Sequence, residues 1–538
     1  MFVKISPFND QRPGTAGLRK KVSVFQQPHY LESFAEAIFR CCPQLDGGTV
    51  VIGGDGRYHN RPAIQTLVRM ASAHGVKKVV IGQQGHLSTP AASHLIRETG
   101  AAGGFLLTAS HNPAGPDGDF GIKFNTETGG QASEQLTEDI YRCTQSLDGY
   151  HVAEPFDVDL DTPGASEHEG MQIEIVDPVH SYAALMQQLF DFDAIRNLLA
   201  SGFSLCFDAM HAVTGPYARC ILGELLGATE TSLLNCQPQE DFGGGHPDPN
   251  LVYARQLVDI MMGQDAPDFG AASDGDGDRN MILGKRIFVS PGDSLAVLAA
   301  NAHRFPGYAG GLPGVARSMP TSRAVDAVAE ALDIPCYETP TGWRFFCNLL
   351  EDGRIGLCGE ESFGTSSHHA REKDGLWAAL AWLNLLALEG KSVAGVMQAH
   401  WQRFGRHYYQ RQDFENLDMA QADQLITGLR DRLPSLQGQT LNGLYISQAD
   451  EFAYHDPVDG SVSKHQGLRI VMGEAARIVV RLSGTGTAGA TLRLYLERYE
   501  RQAIDMQPEA ALSDLAAAAL ELLDLPALTG RNAPDLVT

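Results

Sequence analysis

The chain has 538 residues, 43% of them hydrophobic and 20% charged, which is long enough for several domains with sizeable buried cores. Its 41 Lys and Arg against 65 Asp and Glu leave a net charge of −24. That argues against a nucleic-acid partner, because phosphate backbones are bound by basic surfaces, while an anionic small substrate stays open wherever Arg and Lys gather locally. No run approaches the ~20 apolar residues of a membrane span, and the opening Met1-Phe2-Val3-Lys4-Ile5-Ser6 lacks a signal-peptide core, so a cytoplasmic location with no membrane partner is expected. The 9 cysteines form no C-x-x-C pair and are odd in number, which favours reduced thiols over a zinc site or disulfide framework.

The first third alternates strands and helices. Residues 49–52 are strand-like and end in Gly53-Gly54-Asp55; 62–74 carry Ile64, Leu67, Val68 and Ala71 at helical spacing between Pro62 and Gly75. Residues 77–82 and 104–108 are the next strands, and this βαβ rhythm implies a mostly parallel or mixed sheet flanked by helices. The rhythm restarts at 203–208, with a helix near 217–226 and a strand at 269–272. It restarts again at 314–317, with a helix over 322–332 and a strand at 355–358. In the last quarter, strands at 478–482 and 490–496 flank a Ser-Gly-Thr-Gly turn, Leu492, Leu494 and Leu496 share one face, and 512–523 form an Ala/Leu-rich helix. Residues 401–412 read as a connection, and the polar tail beyond Leu525 as a fraying end.

One loop in each unit has unusual chemistry. In Thr108-Ala109-Ser110-His111-Asn112-Pro113 a serine follows a strand and precedes Asn-Pro punctuation, which suits either a held nucleophile or an ordinary turn. In Ser273-Asp274-Gly275-Asp276-Gly277-Asp278-Arg279 three carboxylates at alternate positions repel one another unless a cation sits among them. An EF-hand fails, since Arg279 and Lys285 stand where Gly and Glu are required, leaving a hard divalent ion such as Mg²⁺ or an exposed acidic turn. Gly359-Glu360-Glu361-Ser362-Phe363-Gly364 offers groups for sugar hydroxyls or a helix-capping turn. The cluster Arg371-Glu372-Lys373-Asp374 reads as an anion contact or a solvated helix start. Finally, 481–487 with Arg493 reads as a phosphate nest or a plain hairpin turn; it is not a Walker A loop. A serine, a metal cage, a sugar loop and a phosphate nest are together the parts for moving a phosphoryl group on a phosphosugar.

These stretches, with Gly14-Thr15-Ala16-Gly17-Leu18-Arg19, Gly121-Ile122-Lys123-Phe124-Asn125, Phe242-Gly243-Gly244-Gly245-His246-Pro247 and Pro340-Thr341-Gly342-Trp343, resemble the α-D-phosphohexomutase family over nearly the whole chain. The T-G-W and G-E-E-S-F-G versions are similar to its glucose-preferring phosphoglucomutase branch. Ala16, Ala114, Arg344, His368 and Thr487 depart from the common pattern, and none of these positions is one invoked as catalytic.

The resemblance implies an α/β protein of four domains around a central cleft. Three similar α/β domains with mixed sheets span residues 1–182, 183–302 and 303–402, and an α+β domain with an antiparallel sheet spans 403–538. It implies interconversion of glucose 1-phosphate and glucose 6-phosphate through a phosphoserine at Ser110, with glucose 1,6-bisphosphate as intermediate and activator. One Mg²⁺ per chain is implied at Asp274, Asp276, Asp278 and a Ser110 phosphate oxygen. His111, Lys123, Arg19, Arg279 and Lys373 would serve proton transfer and charge neutralisation. Thr341, Gly342, Glu360 and Ser362 would hold the sugar, and Arg481, Ser483, Gly484, Thr485, Thr487 and Arg493 the non-reacting phosphate. A monomer or homodimer is expected. The rivals are a phosphomannose or phosphoglucosamine mutase of the same fold, a phosphoserine phosphatase, and a non-catalytic scaffold. The scaffold reading predicts loss of the serine or the aspartates, which this chain retains.

Overall fold

A computed structural model describes residues 1–14, 16–484 and 489–538. The chain packs into two compact units: Met1–Val289, Asn301–Pro313 and Gly342–Ala394 form the first, and Ser290–Ala300, Gly314–Thr341 and Gly395–Thr538 the second.

The first domain is built on a mixed sheet of β1 (Leu18–Lys21), β2 (Thr49–Gly54), β3 (Lys78–His86), β4 (Gly103–Leu107), β5 (Asp119–Thr126), β6 (Gly164–His168) and β7 (Met171–Val176), ordered β1-β5-β4-β2-β3-β7-β6. β4, β2, β3 and β7 run parallel, and the outer strands antiparallel. Helices α1 (Tyr30–Cys41), α2 (Asn60–Ala73), α3 (Thr89–Thr99) and α4 (Glu134–Thr144) accompany it. The central strands are buried along their length (β4, GGFLL, throughout), as a sheet covered on both faces requires. The second sheet, ordered β9-β8-β10-β11-β12, consists of β8 (Leu205–Asp208), β9 (Leu233–Leu234), β10 (Phe269–Ser273), β11 (Asn280–Gly284) and β12 (Ile287–Val289). It is parallel through β10 and antiparallel beyond. The helix read over 217–226 is α-helical only as α5 (Thr214–Ala218) and continues as a π-helix over Arg219–Leu225.

Further along, β13 (Val315–Ser318) and β14 (Cys336–Thr339) pair in parallel in the second unit, beside α6 (Ala324–Leu332). In the first unit, β15 (Leu357–Glu360) and β16 (Gly364–Ser367) form an antiparallel hairpin followed by α7 (Gly375–Glu389). The span 401–412 is not a connection: it completes α8 (Val393–Phe404) and begins β17 (Arg406–Leu417). α9 (Met419–Leu436) then leads into an antiparallel sheet. Its remaining strands are β18 (Thr440–Leu441), β19 (Leu444–Glu451), β20 (Leu468–Met472), β21 (Ala476–Gly484), β22 (Ala490–Glu500) and β23 (Leu536–Val537). The order is β18-β19-β20-β21-β22-β17-β23, and α9 and α10 (Pro508–Leu523) pack on its apolar side, where Leu492, Leu494 and Leu496 are fully buried. The tail is not a frayed end either, since β23 pairs with Gln412 and Asp413 of β17 and extends the sheet.

Candidate active site

Ser110 follows β4 directly, is buried, and has a left-handed backbone (φ 52°). That strain is held by a chain of polar contacts. The Ser110 amide donates to Thr108 Oγ1 (2.7 Å), the Thr108 hydroxyl donates to Asp55 Oδ2 (2.6 Å), and Arg57 donates from Nε to Asp55 and from Nη2 to the Ser110 carbonyl (2.7 Å). The Ser110 hydroxyl donates to Asp274 Oδ2 at 2.9 Å, with His111 Nδ1 at 3.4 Å. Glycine makes this meeting possible: a Cβ at Gly275 would stand 2.4 Å from the Ser110 carbonyl oxygen.

The acidic loop between β10 and β11 is buried, which overturns the exposed-turn reading. Asp274, Asp276 and Asp278 bring one carboxylate oxygen each within 4.8 Å of one another. Asp274 Oδ1 accepts from the amides of Asp278 (2.9 Å) and Arg279 (3.0 Å). At the start of α3, the amide and hydroxyl of Thr89 bind the Asp276 carbonyl (2.8 Å) and carboxylate (2.7 Å). Asp276 Oδ1 and Asp278 Oδ1 are buried without a hydrogen-bond partner among the described residues. Burial, and then the like charges of Asp278 and Asp276, hold the Asp274 carboxyl well above the usual range. Burial also opposes ionisation of Asp276, but Lys123 and the Thr89 hydroxyl keep it down at about 2. Crowded hard oxygen donors with unused lone pairs fit Mg²⁺.

Cations ring the cage. Lys123 on β5 lies 3.8 Å from Asp276 and 3.3 Å from Glu372, which Asn125 (2.9 Å) and Gln131 (3.0 Å) also bind. Lys373 reaches Asp278 at 3.2 Å. Arg279 pairs with Asp248 at 3.1 Å and stands 4.0 Å from Asp274. Arg19 on β1 is lowered chiefly by burial, against the pull of Asp276. Burial beside Arg279 and Arg19 pushes His111 well below its ordinary value.

The cluster 371–374 starts a helix, as one reading had it, but a buried one: Asp374 caps α7 by accepting from the Trp377 amide and also binds Tyr182 and His369. Arg371 is committed to Glu351 and to backbone carbonyls, so Lys373 is the cation of this cluster that meets an acidic loop. Residues 359–364 form the β15–β16 hairpin rather than a helix cap. Glu360 Oε1 there accepts from the Gly342 amide at 2.9 Å, its carboxyl raised by burial, while Ser362 is half-buried in the turn.

In the second unit Thr341 Oγ1 is buried without a hydrogen-bond partner among the described residues. β21 and β22 set Arg481 directly opposite Arg493, and Asp413 lies 3.5 Å from Arg493. Ser483 is half-buried and Gly484 pairs with Ala490, whereas Thr485 and Thr487 lie outside the described residues. Sequence reasoning missed Thr89, Asp248, Glu372 and the Asp55–Arg57–Thr108 support. The available signals were Asp55 at a strand end, Thr108 beside the serine and Glu372 in the 371–374 cluster, while the pairings themselves arise only through folding.

Fold and site define a multidomain α/β enzyme in which a buried serine hydroxyl meets a carboxylate cage suited to a divalent ion. Family models for phosphoglucomutase/phosphomannomutase match residues 10–151 (alpha/beta/alpha domain I), 180–287 (domain II) and 291–404 (domain III), and a model for the phosphoglucomutase-1 C-terminal domain matches 406–535. A phosphoglucomutase of Rhizobium radiobacter is 53% identical over 538 residues, covering 100% of this chain and 99% of that protein. A probable cytoplasmic phosphoglucomutase of Arabidopsis thaliana is 49% identical, with 100% and 99% covered. The crystal structure of the exocytosis-sensitive phosphoprotein pp63/parafusin, a phosphoglucomutase from Paramecium, in its open form, matches with a TM-score of 0.93 at 47% identity, covering 100% of this chain and 99% of that one. The chain belongs to the phosphoglucomutase/phosphomannomutase family.

Proposed function

We propose that this protein is a phosphoglucomutase, an intramolecular phosphotransferase that interconverts glucose 1-phosphate and glucose 6-phosphate in the cytoplasm. The observation that carries the reading is the 2.9 Å contact between the Ser110 hydroxyl and Asp274 of the aspartate triplet, in a chain about half identical to phosphoglucomutases along its whole length. Ser110 carries the phosphoryl group in the resting enzyme. A sugar hydroxyl oxygen attacks that phosphorus, the P–Oγ bond breaks, and glucose 1,6-bisphosphate forms. After the bisphosphate turns over, Ser110 Oγ attacks its other phosphorus and the isomeric monophosphate leaves. Mg²⁺ held by Asp274, Asp276 and Asp278 supplies positive charge to the phosphoryl oxygens when bound.

Lys123, Lys373, Arg279 and Arg19 neutralise charge that spreads over the transferring group. His111, kept neutral by its burial among cations, exchanges the proton at Ser110 Oγ. Glu360, Ser362, Thr341 and Gly342 hold the sugar hydroxyls. Arg481 and Arg493 take the non-reacting phosphate together with Ser483, Gly484, Thr485 and Thr487. Like charges directly opposite in an antiparallel pair repel, so the Arg481–Arg493 register suits an anion at that loop.

Intact mass of the purified protein before and after glucose 1-phosphate tests this. A single phosphoryl group mapped to Ser110 is expected; an unphosphorylated Ser110 throughout turnover refutes it. Mannose 1-phosphate turnover equal to or faster than glucose 1-phosphate turnover would transfer the assignment to a phosphomannomutase.

A further inference from the structure

Glu36 is buried on α1, and two histidines from distant segments close on its carboxylate. His74, the residue after α2, places Nε2 at 2.7 Å from Glu36 Oε2. His151 ends the short strand Gly149–His151, which pairs with Phe2–Lys4, and places Nδ1 at 3.3 Å from Glu36 Oε1. One ligand atom from each of the three residues lies within 4.8 Å of the others. We propose that Glu36, His74 and His151 form a second metal site, separate from the aspartate cage, which takes a divalent transition ion of the Zn²⁺ type.

Donor chemistry separates the two sites. The aspartate cage offers oxygen alone, the set that suits Mg²⁺, whereas two imidazole nitrogens and one carboxylate suit zinc. The spacing fits as well. In a tetrahedral shell with bonds of about 2.0–2.2 Å, neighbouring ligand atoms stand about 3.3–3.6 Å apart, and His151 Nδ1 and Glu36 Oε1 are at 3.3 Å. His74 and Glu36 are at hydrogen-bond distance; an ion replacing the proton between them parts the pair by less than about 1 Å. Both rings are already oriented: His74 stacks on Phe39 with centroids 4.4 Å apart, and His151 rests against Phe2 at 5.0 Å. The carboxylate is oriented too, by the His151 amide (3.0 Å) and by Arg40 Nε (2.8 Å). Arg40 is anchored beside it by the Gly149 carbonyl (2.9 Å), and Asp148 at 3.7 Å offsets its charge. The His151 side chain is 48% exposed, so water reaches the ion from that side and fills the fourth position. The bound ion clamps α1, the end of α2 and the strand at Gly149–His151 to one another.

The test titrates full-length Asp276→Asn protein with Zn²⁺ in a large excess of Mg²⁺, so that the aspartate cage is both weakened and competed. Calorimetry is expected to show one Zn²⁺ per chain still bound. Adding either His151→Ala, at a half-exposed side chain, or His74→Gln, which keeps a donor for Glu36, is expected to weaken that binding by more than about tenfold, the least that loss of even an outer-shell partner costs. With Cu²⁺ as the probe, the electron paramagnetic resonance spectrum is expected to carry nitrogen hyperfine splitting that either histidine substitution diminishes. In the otherwise native chain, both histidine variants are expected to keep native mutase turnover with Mg²⁺, which separates this site from the Ser110 reading. No Zn²⁺ bound under Mg²⁺ excess, an affinity unchanged by either substitution, or a fall in Mg²⁺-supported turnover in the histidine variants overturns the proposal.

Discussion

Ser110 holds a backbone conformation that an L-residue adopts only at a cost of about 1–3 kcal/mol, and three buried side chains, Asp55, Arg57 and Thr108, bear on it. Ser110→Ala removes the oxygen proposed to carry the phosphoryl group. Its turnover is expected to fall by on the order of a thousandfold or more with the thermal midpoint nearly unchanged; steady-state kinetics beside a melting curve check both halves. Thr108→Val keeps shape but removes both hydrogen bonds that connect the Ser110 amide to Asp55. We expect kcat to drop on the order of a hundredfold through misplacement of the serine oxygen, with KM little changed. The unpartnered oxygens of Asp276 and Asp278 lead to a binding prediction. Mg²⁺ at about a hundred times its Kd stabilises the fold by about 2.7 kcal/mol, read as a rise in melting temperature. Asp276→Asn should lose most of that rise.

At the scale of elements, Glu36 on α1 ties three segments together. His74 beyond α2, the His151 amide and Arg40 all bind its carboxylate. Burial alone would raise this carboxyl, yet those partners depress it from 4.5 to about 2. A depressed folded-state value means the stabilisation is complete above the ordinary 4.5 and is lost as pH falls toward about 2. Melting temperatures of native protein and Glu36→Gln, well separated near neutrality, are therefore expected to converge across that interval. Strand β23 is a second element with a clear consequence. Thr538 exchanges two backbone hydrogen bonds with Arg411, and the Asp535 amide donates to the Asp413 carbonyl. Removing residues 531–538 uncovers the edge of β17, with an expected loss of about 1 kcal/mol or more and a gain in aggregation that light scattering would register.

For the molecule as a whole, the second compact unit joins Gly314–Thr341 to the C-terminal sheet through a buried cation. Arg477 donates to the carbonyls of Met319 (2.8 Å) and Thr321 (2.8 Å) and pairs with Glu497 at 2.8 Å. Glu497 also accepts from the Arg323 amide at 2.6 Å and meets His407 at 2.8 Å. Arg477→Met leaves a buried carboxylate without its main counter-charge, a change that costs about 3 kcal/mol or more. Denaturant unfolding is expected to lose that stability in the transition that reports the second unit.

The alternation of strands and helices, the strand-end serine, the alternate aspartates and the antiparallel C-terminal strands were all legible in the sequence, because periodicity and glycine placement are local properties written into neighbouring residues. The same local signals left Ser110 balanced between nucleophile and turn, and the aspartates between cage and exposed loop. What tertiary structure adds is placement: strand ends 164 positions apart in the chain converge until the Ser110 hydroxyl meets Asp274, and the acidic loop is buried rather than exposed, with Lys123 and Lys373 beside it. Only folding brings Thr89 onto Asp276, Glu372 onto Lys123 and Arg57 onto the Ser110 carbonyl. Such pairs carry no sequence signature because hydrogen bonds and ion pairs act over a few ångströms of space, whatever length of chain separates the partners. The tail beyond Leu525 and the stretch 401–412 depart from what their composition implies for the same reason. Strand pairing with a distant partner outweighs a polar, breaker-rich composition once the edge of β17 is there to receive it.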